Sequence, residues 1–437
     1  MNICLLDVYS DRPYRVSKDT NGGFGTGNHF GSALFPRLLT AIKKRSVDFP
    51  PLYLPYVSAS LKGFGHRVAY LRNAEPPRDA DLVLMPTSMV EHTEELRRGR
   101  ELKRRGVRVG YLGPVAALFP EHYLEAGDFL VQGEPEAFFL DDPAAMRLEG
   151  VLPAPALRDL DRLPLPDWSI VDAASLQYRL FGGKGAFFPL FSSKGCPMTC
   201  SYYCTYPLQQ GGTPRSMSAA RTVDVMQHLK ERYGAQKVMF RDPFFTLDQG
   251  RSMAFAQELA ARNLGLRFTI ETHLDALPPD LTEALQAAGM TTVKVGVEGG
   301  SEQVMKSFKR KNHRMDLQMD TVRRLEGAGL QVIAFYILAM PEDTWESCLE
   351  TIRYARRLNT AGAQFSVCTP FPGTRFHADM ADSLRGLPPD EFNLFQLVFR
   401  HATLSPAQVE KLKNIAYTSY YLRPSWLFKY LAGRLRG

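Results

Sequence analysis

The chain has 437 residues, of which 45% are apolar and 23% charged, and its formal net charge is +7. One ordinary core does not extend over this length, so two or more domains are expected. No stretch reaches the roughly 18 unbroken apolar residues that a membrane span needs. The opening MNICLLDVYSD has no positive segment before its apolar run, which indicates a buried strand rather than a signal peptide. These features predict a cytoplasmic protein, in which clustered thiols serve metals or catalysis rather than disulfides.

The positive charge is concentrated near the C-terminus. Residues 405–437 hold six Lys or Arg and one Glu, with aromatic residues between them. This composition favours helices that pack on a neighbouring domain and leave a solvated basic face. An anionic substrate or a membrane surface is the alternative partner. No recognition fold accompanies the charge, so we expect no nucleic acid, and residues 381–437 are interpreted as a basic, mostly helical region.

Residues 1–140 alternate strand and helix signals. The apolar runs are separated by helical segments such as the charged stretch 91–105, and they lie at 2–8, 67–71, 81–86, 107–113 and 128–133. This alternation predicts a Rossmann-like, doubly wound parallel sheet with helices on both faces. Ligands bind beyond the carboxyl ends of such strands. The candidate ligand contacts at those ends are Asp7, Asp11, Thr87, Ser88, Gly113 and Glu134.

A glycine-rich loop follows the first apolar run. It has five glycines between Gly22 and Gly31. Glycine permits close approach of the backbone to a ligand, and a long loop at the end of a strand is a common place for function. The pattern is neither the dinucleotide-binding fingerprint nor a Walker loop.

The second half contains another β–α series. Residues 141–185 are rich in proline and predict a linker. Within 186–380, strand signals lie at 186–193, 237–240, 267–271, 291–297, 330–338 and 362–368, with helical stretches at 218–233, 250–263, 280–289, 301–327 and 343–358. Six such repeats favour a parallel barrel or partial barrel, whose chemistry lies in the loops after the strands.

Three cysteines lie close together after the first of these strands, in KGCPMTCSYYC. A structural zinc site normally needs four ligands, and Cys348 or Cys368 would supply the fourth only by chance geometry. A dithiol redox site requires C-x-x-C, which is absent here. Three thiolates suit a [4Fe–4S] cluster with one iron free to bind a small chelating molecule. The spacing favours the cluster and leaves zinc as the alternative.

Further motifs occur in a fixed order after this loop: FRDPFFT (240–246), ETHLDAL (271–277), VKVGVEGGSEQVMKSFKRK (293–311), ILAMPEDTWESCLETI (337–352) and TPFPGTRF (369–376). With the cysteine loop, they resemble the radical S-adenosylmethionine (SAM) superfamily over most of 186–380. The family spacing is C-x3-C-x2-C, whereas this chain has C-x3-C-x3-C. DLVLMPTS and GPVAALFPEHYLEAGDFLVQGEPEAFF resemble the cobalamin-binding domain of one branch of that superfamily, the class B methyltransferases.

The resemblance implies roles for particular residues. Cys196, Cys200 and Cys204 would hold the [4Fe–4S] cluster, and Tyr203, with Tyr202 as its rival, would face the adenine of SAM. The expected polar and backbone contacts to SAM are Arg241, Asp242, Glu271, Glu298, Gly299, Thr369 and Pro370. His273 is the candidate substrate contact or proton carrier, and with Tyr203 it completes the candidate catalytic residues.

The first domain is expected to bind cobalamin through the strand-end residues named above. The D-x-H-x-x-G pattern, whose His ligates cobalt in some cobalamin proteins, is absent, and His29 lacks an Asp two residues before it. We therefore expect no histidine ligand from this domain. The alternative is a degenerate domain that no longer binds cobalamin.

These resemblances imply a cobalamin-dependent radical SAM methyltransferase. A 5′-deoxyadenosyl radical would remove hydrogen from an unactivated carbon of a small metabolite, such as a sugar, an aminoglycoside or another natural-product intermediate, and methylcobalamin would supply the methyl group. The expected electron donor is a flavodoxin or a ferredoxin. Cyclisation, oxidation or epimerisation without methyl transfer is the alternative. A nonenzymatic metal or corrinoid carrier is disfavoured, because the barrel and its loops would then be superfluous.

Overall fold

The first half of the chain forms a doubly wound α/β domain in the computed structural model, which describes residues 1–46, 49–172, 176, 185–307 and 314–436. Its strands are β1 (Asn2–Asp7), β2 (Arg15–Ser17), β3 (Thr26–Asn28), β4 (Arg67–Arg72), β5 (Leu82–Pro86), β6 (Val109–Leu112), β7 (Phe129–Gly133) and β8 (Gly150–Ala154). Six of them form a parallel sheet in the order β4-β1-β5-β6-β7-β8, whereas β2 and β3 pair antiparallel. The five strands predicted for this half are confirmed.

Helices cover both faces of this sheet. They are α2 (Leu54–Gly63), α3 (His92–Arg104), α4 (Pro114–Leu118), α5 (Pro120–Ala126) and α6 (Pro135–Phe138), whereas α1 (Leu34–Lys44) packs against β2 and β3. Alternate residues of β1 enter different cores: Ile3 and Leu5 pack with α2, whereas Cys4 and Leu6 pack with α3. Burial on both sides explains why these strands are continuously apolar. β8 lies within the segment interpreted as a linker, and the domain boundaries stay predictions.

The second half contains an open six-stranded parallel sheet. Its strands are β9 (Ala186–Leu190), β12 (Ala235–Phe240), β13 (Arg267–Thr272), β14 (Met290–Glu298), β15 (Gln331–Leu338) and β16 (Gly362–Val367), and a separate pair is formed by β10 (Ser193–Lys194) and β11 (Arg215–Ser216). The order β16-β15-β14-β13-β12-β9 follows the chain, apart from the short antiparallel pair β10–β11. This order confirms the predicted partial barrel and brings the loops after the strands to one rim.

Helices follow the barrel strands and extend to the C-terminus. They are α7 (Tyr206–Gln210), α8 (Ala219–Tyr233), α9 (Gln249–Arg262), α10 (Pro279–Ala287), α11 (Glu302–Ser307), α12 (Met315–Gly327), α13 (Trp345–Leu358), α14 (Arg375–Asp379), α15 (Ala381–Leu384), α16 (Pro406–Tyr421) and α17 (Pro424–Arg436). A capping box of Thr344 and Ser347 begins α13, and Asn359 ends it in the left-handed conformation. The predicted helices are confirmed, although 308–313, inside the predicted helix 301–327, lie outside the described residues.

Helix α16 covers the free edge of the barrel sheet. The Tyr417 hydroxyl accepts from the Phe365 N–H and donates to the Phe365 carbonyl, both at 3.0 Å. Tyr421 contacts Ala363 in the same way, at 3.0 and 2.7 Å. Residues four apart on a helix therefore match residues two apart on β16. This pairing satisfies backbone groups that an edge strand would otherwise expose.

The basic C-terminal residues pack largely against the barrel. Lys413 is 1% exposed and donates to Glu410 and the Phe395 carbonyl. Arg423 donates to Asn359, and Lys429 pairs with Glu326. The expected packing on a neighbouring domain is therefore present. No helix in the described ranges is both long and apolar enough to cross a membrane.

Candidate active site

The three cysteines lie on the loop after β9, at the rim of the barrel. The Cys200 carbonyl accepts from the N–H groups of Tyr203 and Cys204, at 3.1 and 3.0 Å, which forms a tight turn. Cys196 and Cys200 are buried. A hydrogen bond with Cys200, followed by burial and the charge of Cys200, raises the pKa of the Cys204 thiol well above its ordinary value, and Cys196 also contributes. The three thiols are therefore neighbours.

A glycine fixes the entry to this loop. Gly195 has φ +82°, and a Cβ there would lie 2.2 Å from the Thr213 carbonyl oxygen. The Cys196 N–H donates to the Gly211 carbonyl at 3.1 Å. Close backbone contact across the loop thus requires glycine immediately before the first cysteine.

The donor set suits an iron–sulfur cluster with three protein ligands. No three His, Cys, Asp or Glu side chains within the described ranges are arranged to hold one metal ion. The fit to a cluster therefore depends on thiol chemistry and on the shared loop. Cys348 lies in α13 beside Asp343, and Cys368 packs in an apolar core. Neither is among the groups that perturb the Cys204 pKa.

Asp242 orients the start of the cysteine loop. It is fully buried, and its carboxylate accepts from the Ser192 N–H and hydroxyl, both at 2.6 Å, and from the Ser193 N–H at 2.9 Å. Burial raises the Asp242 pKa, although Arg251 and these hydrogen bonds oppose the rise. Asp242 was predicted as a contact to SAM. In the structure its carboxylate contacts Ser192 and Ser193, at the start of the cysteine loop.

Lys194 connects the cysteine loop to the first domain. Its ammonium pairs with Glu136 and lies 3.5 Å from Glu134, just after β7. Glu134 also receives both ends of the Arg215 guanidinium, at 2.7 and 3.0 Å. Burial disfavours the Glu134 carboxylate, yet Lys194 and Arg215 hold its pKa below the ordinary value. Ion pairs thus connect the end of β7 in the first sheet to Lys194, which lies two residues before Cys196.

A second buried ion network lies at the barrel rim. Arg241 donates to Glu271 at 3.0 Å and to Asp19 at 2.6 Å, and Lys294 donates to Glu271 at 3.0 Å. Burial opposes ionisation of Glu271, but Lys294 and Arg241 hold its pKa below the ordinary value. The predicted residues Arg241 and Glu271 therefore meet each other. Asp19 and Lys294 were not identified from the sequence.

Burial alternates along the last three barrel strands. The half-buried residues on one face of the sheet, opposite fully buried ones, include Lys294, Gly296, Glu298, Ile333, Phe335, Ile337, Gln364 and Ser366. Successive side chains of a strand point to opposite faces. The open face of the barrel is thus charged near β14, apolar on β15 and amide- or hydroxyl-bearing on β16.

Glu298 ends β14 in an unusual backbone conformation. Its φ is +70°, in the left-handed region that side chains other than glycine disfavour. Strain of this kind persists at positions that the surrounding structure determines, often in functional sites. Gly300 permits close packing of α13, because a Cβ there would lie 2.9 Å from the Glu350 carbonyl oxygen. At Gly299 the nearest atom would be Cε of Met305, also at 2.9 Å.

The remaining predicted rim residues are aromatic or follow β16. Tyr202 donates to Asp379 at 3.0 Å, and burial, with Asp379, raises its pKa to about 12. Tyr203 packs, partly buried, against the same core as Tyr202. His273 stacks on Phe244 with 4.3 Å between ring centroids. Thr369 and Pro370 are buried, and the Thr369 hydroxyl donates to the Val367 carbonyl.

A cavity separates the first sheet from the cysteine loop. It encloses about 680 Å³ of space not filled by protein atoms, part of it open to solvent. Residues of both domains line it, including Tyr53, Glu134, Glu136, Lys194, Tyr206 and Arg241. Gly22, Gly23, Pro114, Gly133 and Pro135 form part of its first-domain side. Of the predicted contacts, Glu134 and Arg241 reach this cavity.

Two other predicted contacts belong to a buried ion cluster. Lys18 lies 3.0 Å from Asp7 and 2.9 Å from Glu95, and all three side chains are fully buried. Ser88 donates to Glu95 through both its N–H and its hydroxyl. Asp7 also accepts from the Tyr70 hydroxyl. Asp7 and Ser88 thus stabilise the strand ends.

The other strand-end candidates have varied positions. Thr87 donates to the Leu112 carbonyl, and Gly113, at φ +107°, immediately precedes the cavity residue Pro114. Asp11 is fully exposed and lies 3.7 Å from Lys44. His29 lies 3.4 Å from the Lys413 ammonium, and burial, with Lys413, lowers its pKa.

Sequence comparison identifies a protein family and individual proteins that are similar to this chain. Residues 190–355 match the model of the radical SAM superfamily. This part of the chain is therefore similar to a radical SAM domain. An uncharacterized methyltransferase of Pyrococcus horikoshii is 27% identical over 322 residues, which are 69% of each chain. An anaerobic magnesium-protoporphyrin IX monomethyl ester cyclase of Cereibacter sphaeroides is 23% identical, over 88% of this chain and 68% of that protein.

The fold is shared with a solved structure over nearly the whole chain. The radical SAM methyltransferase TsrM from Kitasatospora setae, solved with cobalamin and a [4Fe–4S] cluster bound, aligns with a TM-score of 0.64. The alignment covers 97% of this chain and 90% of TsrM at 16% identity. At this identity the likeness establishes a common architecture of both domains.

Proposed function

We propose that the chain is a cobalamin-dependent radical SAM enzyme that methylates an unactivated carbon of a small molecule. The observation that carries the proposal is one cavity lined on one side by residues that flank the three cysteines, such as Lys194 and Tyr206, and on the other by the strand ends of a doubly wound sheet. Similarity to TsrM, which binds cobalamin and a [4Fe–4S] cluster, supports both cofactors. Similarity to the methyltransferase of Pyrococcus horikoshii supports methyl transfer.

Residues on both sides of the cavity fit the implied groups. Cys196, Cys200 and Cys204 would hold the cluster, and the rim residues around Glu298 would contact SAM. Several lining residues on the first-domain side are glycine or proline, whose small side chains suit a flat macrocycle. A cluster held there would supply the electron that cleaves SAM, and cobalamin would supply the methyl group.

The chain itself contributes position and shielding. Asp242 orients the cysteine loop through Ser192 and Ser193. The Lys194–Glu134 and Arg241–Asp19 contacts fix the distance between the two domains. Because a radical must meet the methyl donor before it meets water or protein, fixed spacing and exclusion of water are what such a reaction requires.

A second candidate is radical-dependent cyclisation without methyl transfer. The similarity to the anaerobic cyclase of Cereibacter sphaeroides, over 88% of this chain, favours it. The same domains and cofactors would serve both reactions, so the site geometry does not distinguish them. The two reactions differ in their products.

The test is anaerobic reconstitution followed by product analysis. Protein supplied with iron, sulfide and cobalamin should contain about four irons per chain and bind cobalamin. With SAM and a low-potential reductant, a methyltransferase should form both 5′-deoxyadenosine and S-adenosylhomocysteine, because a second SAM remethylates the cobalt. 5′-Deoxyadenosine alone would favour the cyclase class. The absence of both products would contradict the proposal.

A further inference from the structure

Helix α1 presents apolar side chains to solvent. Its inner face carries the buried Pro36 and Thr40 and packs against β2, β3 and α16. The outward residues recur at every fourth position, so they form one apolar stripe along the helix. The exposed fractions in this stripe are 89% for Leu34, 54% for Leu38 and 38% for Ile42. Among the described residues, no other large apolar side chain is as exposed as Leu34.

Helix α3 of the same protein has the ordinary arrangement of a surface helix. Leu96 and Leu102 are buried there, whereas the outer side carries the ion pairs of Arg97 with Glu94 and Glu101. A surface helix normally turns its apolar residues inward in this way. The arrangement in α1 is reversed over three apolar positions. Exposed apolar surface that is continuous and bordered by polar residues marks contact with another molecule.

The border of the apolar stripe is positively charged. Segment 33–46 contains no acid and four cations, namely Arg37, Lys43, Lys44 and Arg45. Arg37 and Lys44 are two helical turns apart, so they lie in line beside the stripe, and both are exposed, as is Arg45. Within the described part of the chain, neither Arg37 nor Arg45 makes an ion pair. The outer surface of α1 therefore combines apolar contact area with excess positive charge.

This combination distinguishes between possible partners. A second copy of the chain would bring the cations of two α1 helices together, and like charges oppose such a contact. A membrane surface matches both features. Its acyl chains accept apolar side chains along the whole length of a helix, and its anionic headgroups lie at the depth of the flanking cations.

We propose that α1 is an interfacial helix that docks the protein on a membrane surface containing anionic phospholipids. The helix lies in the plane of the interface. Leu34, Leu38 and Ile42 contact the acyl chains, and Arg37 and Lys44 extend to the headgroups. The inner face keeps its contacts with β2, β3 and α16, so docking requires no rearrangement of the fold. The inference is independent of the proposed function, because it concerns an outer surface rather than the cavity.

Sedimentation with lipid vesicles tests the apolar contact on the full chain without any turnover. Vesicles of equal parts phosphatidylcholine and phosphatidylglycerol should bind the unchanged protein. Leu38→Glu should weaken this binding by about tenfold or more, because it removes apolar contact and adds repulsion. Leu317→Glu is the matched control, since Leu317 lies on α12 and is 48% exposed. The control should change binding by less than about twofold.

A second pair of variants tests the charge. Arg37→Gln should weaken binding to the anionic vesicles by about fivefold. Arg323→Gln, on α12 and with a side chain 70% exposed, should leave it unchanged. Added salt should weaken binding of the unchanged protein, and vesicles of phosphatidylcholine alone should bind it at least about tenfold more weakly. Because all four variants alter exposed side chains, their melting temperatures should stay close to that of the unchanged protein.

Four results would overturn the inference. The unchanged protein does not sediment with anionic vesicles, or it binds equally to vesicles of phosphatidylcholine alone. Folded Leu38→Glu binds as well as the unchanged protein, which would assign binding to another surface. The unchanged protein self-associates without binding vesicles and Leu38→Glu abolishes the association, which would assign the apolar stripe to a second copy of the chain.

Discussion

Arg241 and Asp19 form a buried ion pair between the two domains, with 2.6 Å between Nη2 and Oδ2. Arg241 directly follows β12, and Asp19 follows β2 at the start of the glycine-rich loop. The same guanidinium binds Glu271. The loop that follows the first strand is therefore held to the barrel rim by charge, and the cavity between the domains depends on that contact.

The pair predicts that Asp19→Asn destabilises the protein. Removing one partner leaves the other charge buried and incompletely paired, and the cost is on the order of 3 kcal/mol. Urea unfolding followed by tryptophan fluorescence should show this loss. Asp382→Asn is the control, since Asp382 and its partner Arg385 are almost fully exposed, and it should change stability by less than about 0.5 kcal/mol. Equal stability of both variants would exclude a structural role for the domain contact.

Asp242 should control cluster content although it contacts no cysteine. In Asp242→Ala both accepting oxygens are removed, so the Ser192 N–H and hydroxyl and the Ser193 N–H lose their partner and the loop loses its orientation. We expect iron per chain after reconstitution to fall well below that of the unchanged protein. Asp248→Ala, on the same connection, removes only a helix cap, costs about 1 kcal/mol, and should retain full iron. Full iron in both variants would contradict this assignment.

The tyrosine contacts to β16 predict a contrast between two hydroxyl deletions. Tyr417→Phe leaves the Phe365 N–H and carbonyl without their partner and should cost about 1–3 kcal/mol. Tyr56→Phe removes a buried hydroxyl that has no hydrogen-bond partner among the described residues, so it should be neutral or stabilising. Thermal unfolding of the two variants measures both effects. A Tyr417→Phe variant as stable as Tyr56→Phe would refute the edge-covering role.

The lowered pKa of Lys43 predicts a pH-dependent effect of its removal. The folded-state pKa of Lys43, about 8, lies below the ordinary value of 10.5. The contribution of this group to the free energy of unfolding is therefore fully present above pH 10.5 and is lost as the pH falls through 8. Lys43→Met should therefore stabilise the protein most at pH 7, by on the order of 2 kcal/mol, and little at pH 10.5. Melting temperatures at both pH values test this. A pH-independent difference, as expected for exposed Lys44→Met, would contradict it.

Much of the fold was predictable from the pattern of apolar and polar residues along the sequence. Continuous apolar runs predicted strands buried on both faces, and their alternation with helices predicted parallel order. The cysteine loop at the end of β9 was likewise predictable, because thiols this close together in a reduced protein have few structural uses. β8 was missed because proline-rich sequence around Gly150–Ala154 resembles a linker.

The side-chain partners were not predictable, because they depend on tertiary contacts. The strand-end rule identified the correct edge of the first sheet, yet Asp7 and Ser88 turn toward Lys18 and Glu95 rather than the cavity. Tyr206, which lines the cavity, carries no signal beyond its position two residues after Cys204.

The most direct test of the central claim is reductive SAM cleavage by Cys204→Ala under strictly anaerobic conditions. If Cys204 completes a three-thiolate cluster site, this variant should form no 5′-deoxyadenosine and should lose iron after reconstitution. Cys348→Ala, a buried cysteine of α13 outside the loop, should retain both. A Cys204→Ala protein with full iron and undiminished 5′-deoxyadenosine would contradict the account.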